Sequence, residues 1–268
     1  MSETQSASFY EKMERLTRKW WFYVLLFAVI FLPPYTSQGL GYYRDLWKFS
    51  FDIGETMYYR KELFEAFMPL LHLVVAVIIF LVVLLGHKFG RIFSVFVGLN
   101  YVLIIIVQAY MVTDEYGTVV LSMLSIWCLM IVLAWFWDAI LGKTDYTFRK
   151  LPWQRYWVVP MAFIAFWNPD DAWDLNPRML WISTSPIAFC MMTVIYLAIY
   201  RLLYPNVNLP AFRVTSFIGI ILSLFTMGVG AARGGSEGVY WVLLHIPILS
   251  VSVESFVVGL RPGSSSLA

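Results

Sequence analysis

Six stretches of this sequence run for 18–24 residues with at most two Asp, Glu, His, Lys or Arg side chains apiece: Phe64–Gly86, Arg91–Val112, Thr118–Leu141, Thr184–Tyr204, Arg213–Gly230 and Val239–Leu260. A helix rises about 1.5 Å per residue, so each can cross or nearly cross the roughly 30 Å hydrocarbon layer of a bilayer. That property removes most folds from consideration. Lipid offers no partner for backbone N–H and C=O groups, and only helices or closed barrels satisfy those groups internally.

Composition bears on the same point. Charged residues make up 13% of the chain and hydrophobic residues 60%, whereas a soluble domain carries about 25% charged residues to cover its surface. The formal net charge of +2 and the lack of a basic tract argue against nucleic acid as a partner. Cys128 and Cys190 sit inside apolar runs, where they read as small buried apolar residues rather than a disulfide or a thiolate metal site.

Two further apolar segments are short. Trp20–Leu32 stops at Pro33-Pro34, and Trp157–Trp167 stops at Asn168-Pro169; proline removes a backbone donor and ends a helix at or before itself. Counting them, the sequence predicts an all-α, polytopic membrane helix bundle of about eight transmembrane helices, one integral membrane domain over residues 1–268. Lys12, Arg15, Arg18 and Lys19 ahead of Trp20 resemble the charged region of a signal peptide. No small-x-small cleavage site precedes Pro33, so the first segment is expected to be retained. With residues 1–19 placed in the cytoplasm, thirteen Lys and Arg fall on the inner side and six on the outer. The positive-inside rule then puts both termini in the cytoplasm.

The broken segments hold the first position of each half, which suggests two parallel four-helix pseudo-repeats over 20–142 and 157–260. Pro69 opens the second helix as Pro186 opens the sixth, and Arg91 begins the third as Arg213 begins the seventh. Asp45-Leu-Trp47 matches Met179-Leu-Trp181. Asp138 and Glu254 lie near the ends of the fourth and eighth helices, followed by Gly142 and Gly259. Aligning Pro69–Gly86 on Pro186–Leu203 gives four identities in eighteen positions. Paired interrupted helices at matching positions are the mark of a transporter-type site, where unwound backbone meets a ligand. Pro33, Pro34, Trp167, Asn168 and Pro169 are therefore candidate ligand-binding residues.

Other candidates carry side-chain chemistry. Asp138 and Glu254 are acids within apolar helices, and intramembrane acids serve proton or ion coupling; lining one cavity, each would raise the other's pKa. His72 and His245 are expected at similar depth, a placement that would suit a haem iron or a polar cavity. Asn100 and Gln108, eight positions apart, share a helix face. Arg233 is expected in a flexible turn, Gly230–Gly235, where it could pair with an anion. The stretch Asp170-Asp171-x-x-Asp174 is a candidate hard-cation site, and it matches the DDxxD pattern that holds magnesium-diphosphate in prenyl-transferring enzymes.

Three functional readings stay open on these residues. One is a transporter, or membrane binding subunit, for a small molecule or ion, with its site near the two Pro-interrupted helices; an aromatic content of 18% suits stacking or cation–π contact with the ligand. A second is a subunit of a larger, quinone- or haem-linked complex, with partner subunits or further copies of itself. A third is an embedded enzyme acting on lipid or isoprenoid. An HExxH motif is absent, and the residues name no cofactor.

Overall fold

The computed structural model of the protein describes residues 3–39, 64–114, 116–168 and 176–261. Asp45-Leu-Trp47, Pro169, Asp170, Asp171 and Asp174 lie outside the described residues. The chain is all-α apart from one small sheet. Five helical segments are long and apolar enough to cross a membrane, and a sixth joins them if one sharply bent pair counts as a single span. These are an integral membrane protein's proportions.

Helix α1, Glu3–Leu16, is polar. Helix α2, Trp20–Ala28, continues into a 3-10 turn, Val29–Phe31, and ends before Pro33-Pro34. Helix α3, Met68–Leu85, starts with Pro69 in its first turn, where a missing N–H costs nothing. It buries one narrow stripe, Met68, His72, Val75 and Val82. Leu70, Leu73, Val77, Phe80 and Leu84 of the same helix remain exposed. In water so broad an apolar face would drive association; against lipid it costs nothing.

Gly86, at φ 56°, turns the chain from α3 into α4, His87–Ile104. Here the structure corrects two expected boundaries. The run Arg91–Val112 is not helical to its end. After α4 a π-helical turn, Ile105–Ala109, leads into strand β2, Tyr110–Thr113. Strand β3, Gly117–Val120, returns antiparallel to it, and helix α5 begins only at Ser122 and runs to Leu141. The cause is local. Val112, Thr113, Thr118, Val119 and Val120 are β-branched, and such residues favour an extended backbone. A sliding window sees only their apolarity. Strand β1, Tyr35–Thr36, completes a sheet of order β1-β3-β2.

Helix α6, Val158–Trp167, is ended by Asn168 at φ 37°. Asparagine is the residue other than glycine that best tolerates this left-handed cap. The expected span Thr184–Tyr204 is broken. A short helix α7, Met179–Ile182, and a 3-10 turn, Ser185–Ile187, meet helix α8, Phe189–Leu203, at 91°. Helix α9, Leu209–Arg233, is longer than the expected Arg213–Gly230. Asn208 caps it by accepting from the Ala211 N–H at 3.2 Å, and Pro210 fits its first turn. Gly230 to Arg233 is therefore helical rather than a flexible turn, and the chain reverses at Gly234 and Gly235. Helices α10, Gly235–Leu244, and α11, Ile246–Leu260, meet at His245, with Pro247 in the first turn of α11.

The connections 142–152 and 204–208 lie together at one end of the bundle, where the Asp145 N–H donates to the Asn206 carbonyl at 2.8 Å. The sheet closes the other end.

Candidate functional site

Helix α8 is the axis of the bundle. Thirteen of its fifteen residues are buried, and it packs against α6, α9 and α11. With about 1.5 Å of rise per residue it covers only about 22 Å. A bent segment precedes it.

That segment, Ser183–Ala188, is unwound backbone inside protein, and several sequence candidates converge on it. The Asn100 Nδ2 donates to the Pro186 carbonyl at 2.8 Å, and the Gln108 Oε1 accepts from the Phe189 N–H at 3.0 Å. The Asn168 Nδ2 donates to Thr184 Oγ1 at 3.3 Å. His72 Nε2 lies 3.2 Å from Ser183 Oγ. The shared face expected for Asn100 and Gln108 is thus the face that holds the bend. Asn100 Oδ1 also accepts from the Tyr196 hydroxyl at 2.9 Å, so one amide ties the bend to the second turn of α8.

The histidine carries a constraint of its own. Its Nδ1 is 2.9 Å from the Met68 carbonyl, and a carbonyl only accepts, so Nδ1 bears the proton. Ser185 Oγ donates to the Ala165 carbonyl at 2.8 Å, and Ser183 Oγ lies 3.2 Å from Ser185 Oγ. When Ser183 donates to Ser185, only a doubly protonated His72 completes the chain. When His72 is neutral, the Ser183 proton turns to it instead.

At the far end of α8 the second polar centre surrounds Asp138 of α5, which is 1% exposed. Its Oδ2 accepts from Tyr200 at 2.9 Å and Ser94 at 3.0 Å, and the Tyr146 hydroxyl lies 3.5 Å from it. Because the Ser94 proton goes to the carboxyl, Tyr146, 2.7 Å away, donates to Ser94. Thr144 and Asn208 also stand beside the carboxyl. Neither reaches hydrogen-bonding geometry with Oδ1, which lacks a partner among the described residues. Asp138 lines a cavity of about 10 Å³ together with His87, Arg91, Ser94 and Thr144 among others. That is near the size one water requires. Burial, and then the nearby Asp138, push the Tyr146 phenol well above the usual tyrosine range, so it remains a donor. Aromatic rings enclose the centre: Trp135 lies 4.3 Å from Tyr200 and Phe93 5.5 Å from Tyr146, centroid to centroid.

Glu254 belongs to a different place. Its Oε1 accepts from Arg201 Nη2 at 2.7 Å, and it lines a groove of about 450 Å³ on α11. Asp138 and Glu254 therefore do not line one cavity. Tyr200 and Arg201 are adjacent on a helix, so their side chains diverge by about 100° and reach acids on opposite flanks. His245 is also apart from His72. Its Nδ1 donates to the Trp241 carbonyl at 2.7 Å, and its ring stacks on Trp241. Arg233, the last residue of α9, lies over the Trp241 ring at 5.4 Å. Pro33 is exposed and Pro34, just before strand β1, half-buried. The Trp167 Nε1 donates to the Asn176 carbonyl.

Sequence reading missed Ser183, Ser185, Ser94, Tyr146 and Tyr200. The signal for the first two was Ser183-Thr184-Ser185-Pro186, three hydroxyls before a proline at the edge of an apolar run. No such local signal marks Tyr146 or Ser94, which approach Asp138 only through tertiary packing. No family model, curated protein or solved structure matches this chain.

Proposed function

We propose that this protein is a multi-pass membrane carrier for a small solute or ion, with Asp138 as its proton-exchanging group. The observation that carries the reading is the environment of that carboxyl. Three hydroxyls crowd one oxygen, the other lacks a hydrogen-bond partner among the described residues, and the residue lines a water-sized cavity. A buried acid so arranged has a stable home for its charge and a route for a proton. The broken span supports the same reading. Unwound backbone at membrane depth supplies carbonyls to a ligand, and α8 connects that break to Asp138 through Tyr200.

In this reading α2 and α6 are the two short spans that bring the total to eight. The bundle end bearing Lys88, Arg91, Lys143, Arg149, Arg155, Arg201 and Arg213 faces the cytoplasm, as do both termini. Two matching contacts favour an internal repeat. An ideal Cβ at Gly142 lies 3.0 Å from Arg91 Nη2, and one at Gly259 lies 3.2 Å from Arg213 Cγ. In each half, the arginine at the fifth position of the third helix lies beside the glycine at or near the end of the fourth.

The test uses proteoliposomes with a trapped pH dye, challenged with a panel of amino acids, organic cations and alkali-metal ions. The expected result is a solute-dependent change in internal pH that Asp138→Asn abolishes while the purified variant stays monodisperse. Silence of the natural protein across the panel, or an unchanged signal in Asp138→Asn, would overturn the proposal.

A further inference from the structure

The cavity that Asp138 lines holds a second titratable residue in its wall. His87, the first residue of α4, is exposed, yet it lines the same space of about 10 Å³ as the buried acid. The α4 side of that wall is His87, Gly90, Arg91 and Ser94. Steps of three, four and seven from His87 put these positions on one helix face. From His87 to Ser94 the helix rises about 10 Å. The face therefore runs from water to the serine that donates to Asp138 Oδ2.

The turn at Gly86 fixes the outer end. An ideal Cβ on Gly86 lies 3.3 Å from the Tyr146 carbonyl oxygen, so the start of α4 packs against the backbone that follows Asp145. The Asp145 carboxylate is close enough to His87 to interact with its charge, and it pairs with Arg149 at 3.3 Å. A carboxylate beside an exposed imidazole draws protons from water to the mouth of the cavity.

Hydrogen bonds supply the inner end. Tyr146 donates to Ser94, and Ser94 to Asp138. A hydroxyl passes a proton by accepting one on its oxygen while releasing its own. This chain ends on Oδ2 and needs no open surface at the carboxyl. The other titratable groups in reach hold their protons near neutral pH. Arg91 in the same wall stays charged. Burial raises the Tyr10 phenol of α1, which faces Asp138 from the other flank, to about 12. Burial, and then Asp138, raise that of Tyr146 well above the usual tyrosine range. The guanidinium of Arg91 also disfavours a metal cation resident in the cavity, whereas a proton crosses as a shift of bonds.

We propose that His87 is the port through which Asp138 exchanges protons with water at the cytoplasmic end. The imidazolium gives one N–H proton to a single water in the cavity. That water gives one to the Tyr146 hydroxyl, Tyr146 gives its own to Ser94, and Ser94 gives its own to Asp138 Oδ2. One proton has then moved from histidine to carboxylate. The imidazole and the acid are both neutral, and the water and hydroxyls are restored. The port rests on Asp138 as the proton-exchanging group, but not on which solute is carried.

The experiment follows the Asp138 carboxyl by infrared spectroscopy in full-length protein, without solute, after rapid mixing from H2O into D2O. The band is identified by its loss in Asp138→Asn, and its downshift times the exchange of that one proton. His87→Gln is expected to slow the exchange by about tenfold or more without moving the unfolding midpoint, because the side chain is exposed. Imidazole added to His87→Gln is expected to restore most of the rate and to leave the natural protein's rate unchanged. Equal rates in the natural protein and His87→Gln, a slowed rate that imidazole does not restore, or no carboxyl band lost in Asp138→Asn would each overturn the port. Silence of the solute panel alongside His87-dependent exchange removes the carrier reading alone. A normal solute signal alongside His87-independent exchange removes the port alone.

Discussion

Gly90 of α4 is the position where the smallest change should reach the Asp138 centre. An ideal Cβ there would lie 2.2 Å from Tyr146 Cδ2 and 2.9 Å from Cγ. Carbon atoms rest about 3.5–4.0 Å apart, so Gly90→Ala forces the ring back by about 1.3 Å or more. The ring is 2% exposed and has little room. Its hydroxyl, 2.7 Å from Ser94 Oγ and 3.5 Å from Asp138 Oδ2, moves out of hydrogen-bonding range. Overpacking costs about 1–3 kcal/mol, and an interhelical hydrogen bond contributes about 0.6 kcal/mol on average. Against this, alanine gains up to about 1 kcal/mol over glycine within a helix. The net expectation is a loss of about 1–3 kcal/mol, read as unfolding free energy in mixed micelles. A double-mutant cycle isolates the cause. With Tyr146→Ala in place, the added methyl has space, and the same Gly90→Ala change should become neutral or stabilising by up to about 1 kcal/mol. A loss of equal size in both backgrounds would refute the reasoning, because the methyl would then act on something other than the Tyr146 ring.

Three further outcomes follow from the same contacts. Arg213 is fully buried; its Nε donates to the Gly259 carbonyl at 2.7 Å and its Nη1 to the Glu14 carbonyl and Thr17 Oγ1, each at 3.1 Å. Arg213→Ala should cost about 3–5 kcal/mol and expose residues 3–18 to limited proteolysis; Arg213→Lys, with one ammonium in place of a fork of donors, should rescue less than half. Asn100→Ala strands the Pro186 carbonyl and the Tyr196 hydroxyl and should cost about 1–3 kcal/mol, with faster amide exchange at the bend than in the rest of α8. Burial raises the Tyr146 phenol, so the native state holds that proton more tightly than the unfolded chain does. Its contribution to stability is full below about pH 10, the unfolded tyrosine value, and falls as pH rises above it; Tyr146→Phe should remove that share of the alkaline loss in unfolding titrations.

The sequence makes the membrane class legible because that class depends on run length and apolarity, which are local. Boundaries were less legible wherever residue shape overrode apolarity. The β-branched residues at 112–113 and 118–120 form a hairpin that any hydropathy window reads as helix. Site residues divide the same way. Asn100, Gln108, His72 and Asn168 stood out as polar groups in apolar runs, and they do meet at one place. That place is Ser183–Ala188, beyond the Asn168-Pro169 break, and proline alone did not point there. Pro33-Pro34 ended a helix at an exposed edge for the reason anticipated. Whether a backbone break is buried is set by neighbours distant in sequence, and no local pattern encodes it.

The asymmetry between the two halves follows from that dependence on neighbours. The alignment that pairs Pro69 with Pro186 also pairs Val83 with Tyr200 and Leu84 with Arg201. Val83 and Leu84 are exposed, 52% and 65%, on a helix that gives most of its surface to lipid. Tyr200 and Arg201 are buried between α5 and α11, where each meets an acid. A lipid-facing position requires only an apolar side chain, whereas an axial one can hold polar chemistry, provided that chemistry is satisfied. The central position of α8, rather than any motif within it, is what lets two consecutive residues connect both flanks of the bundle to a single helix.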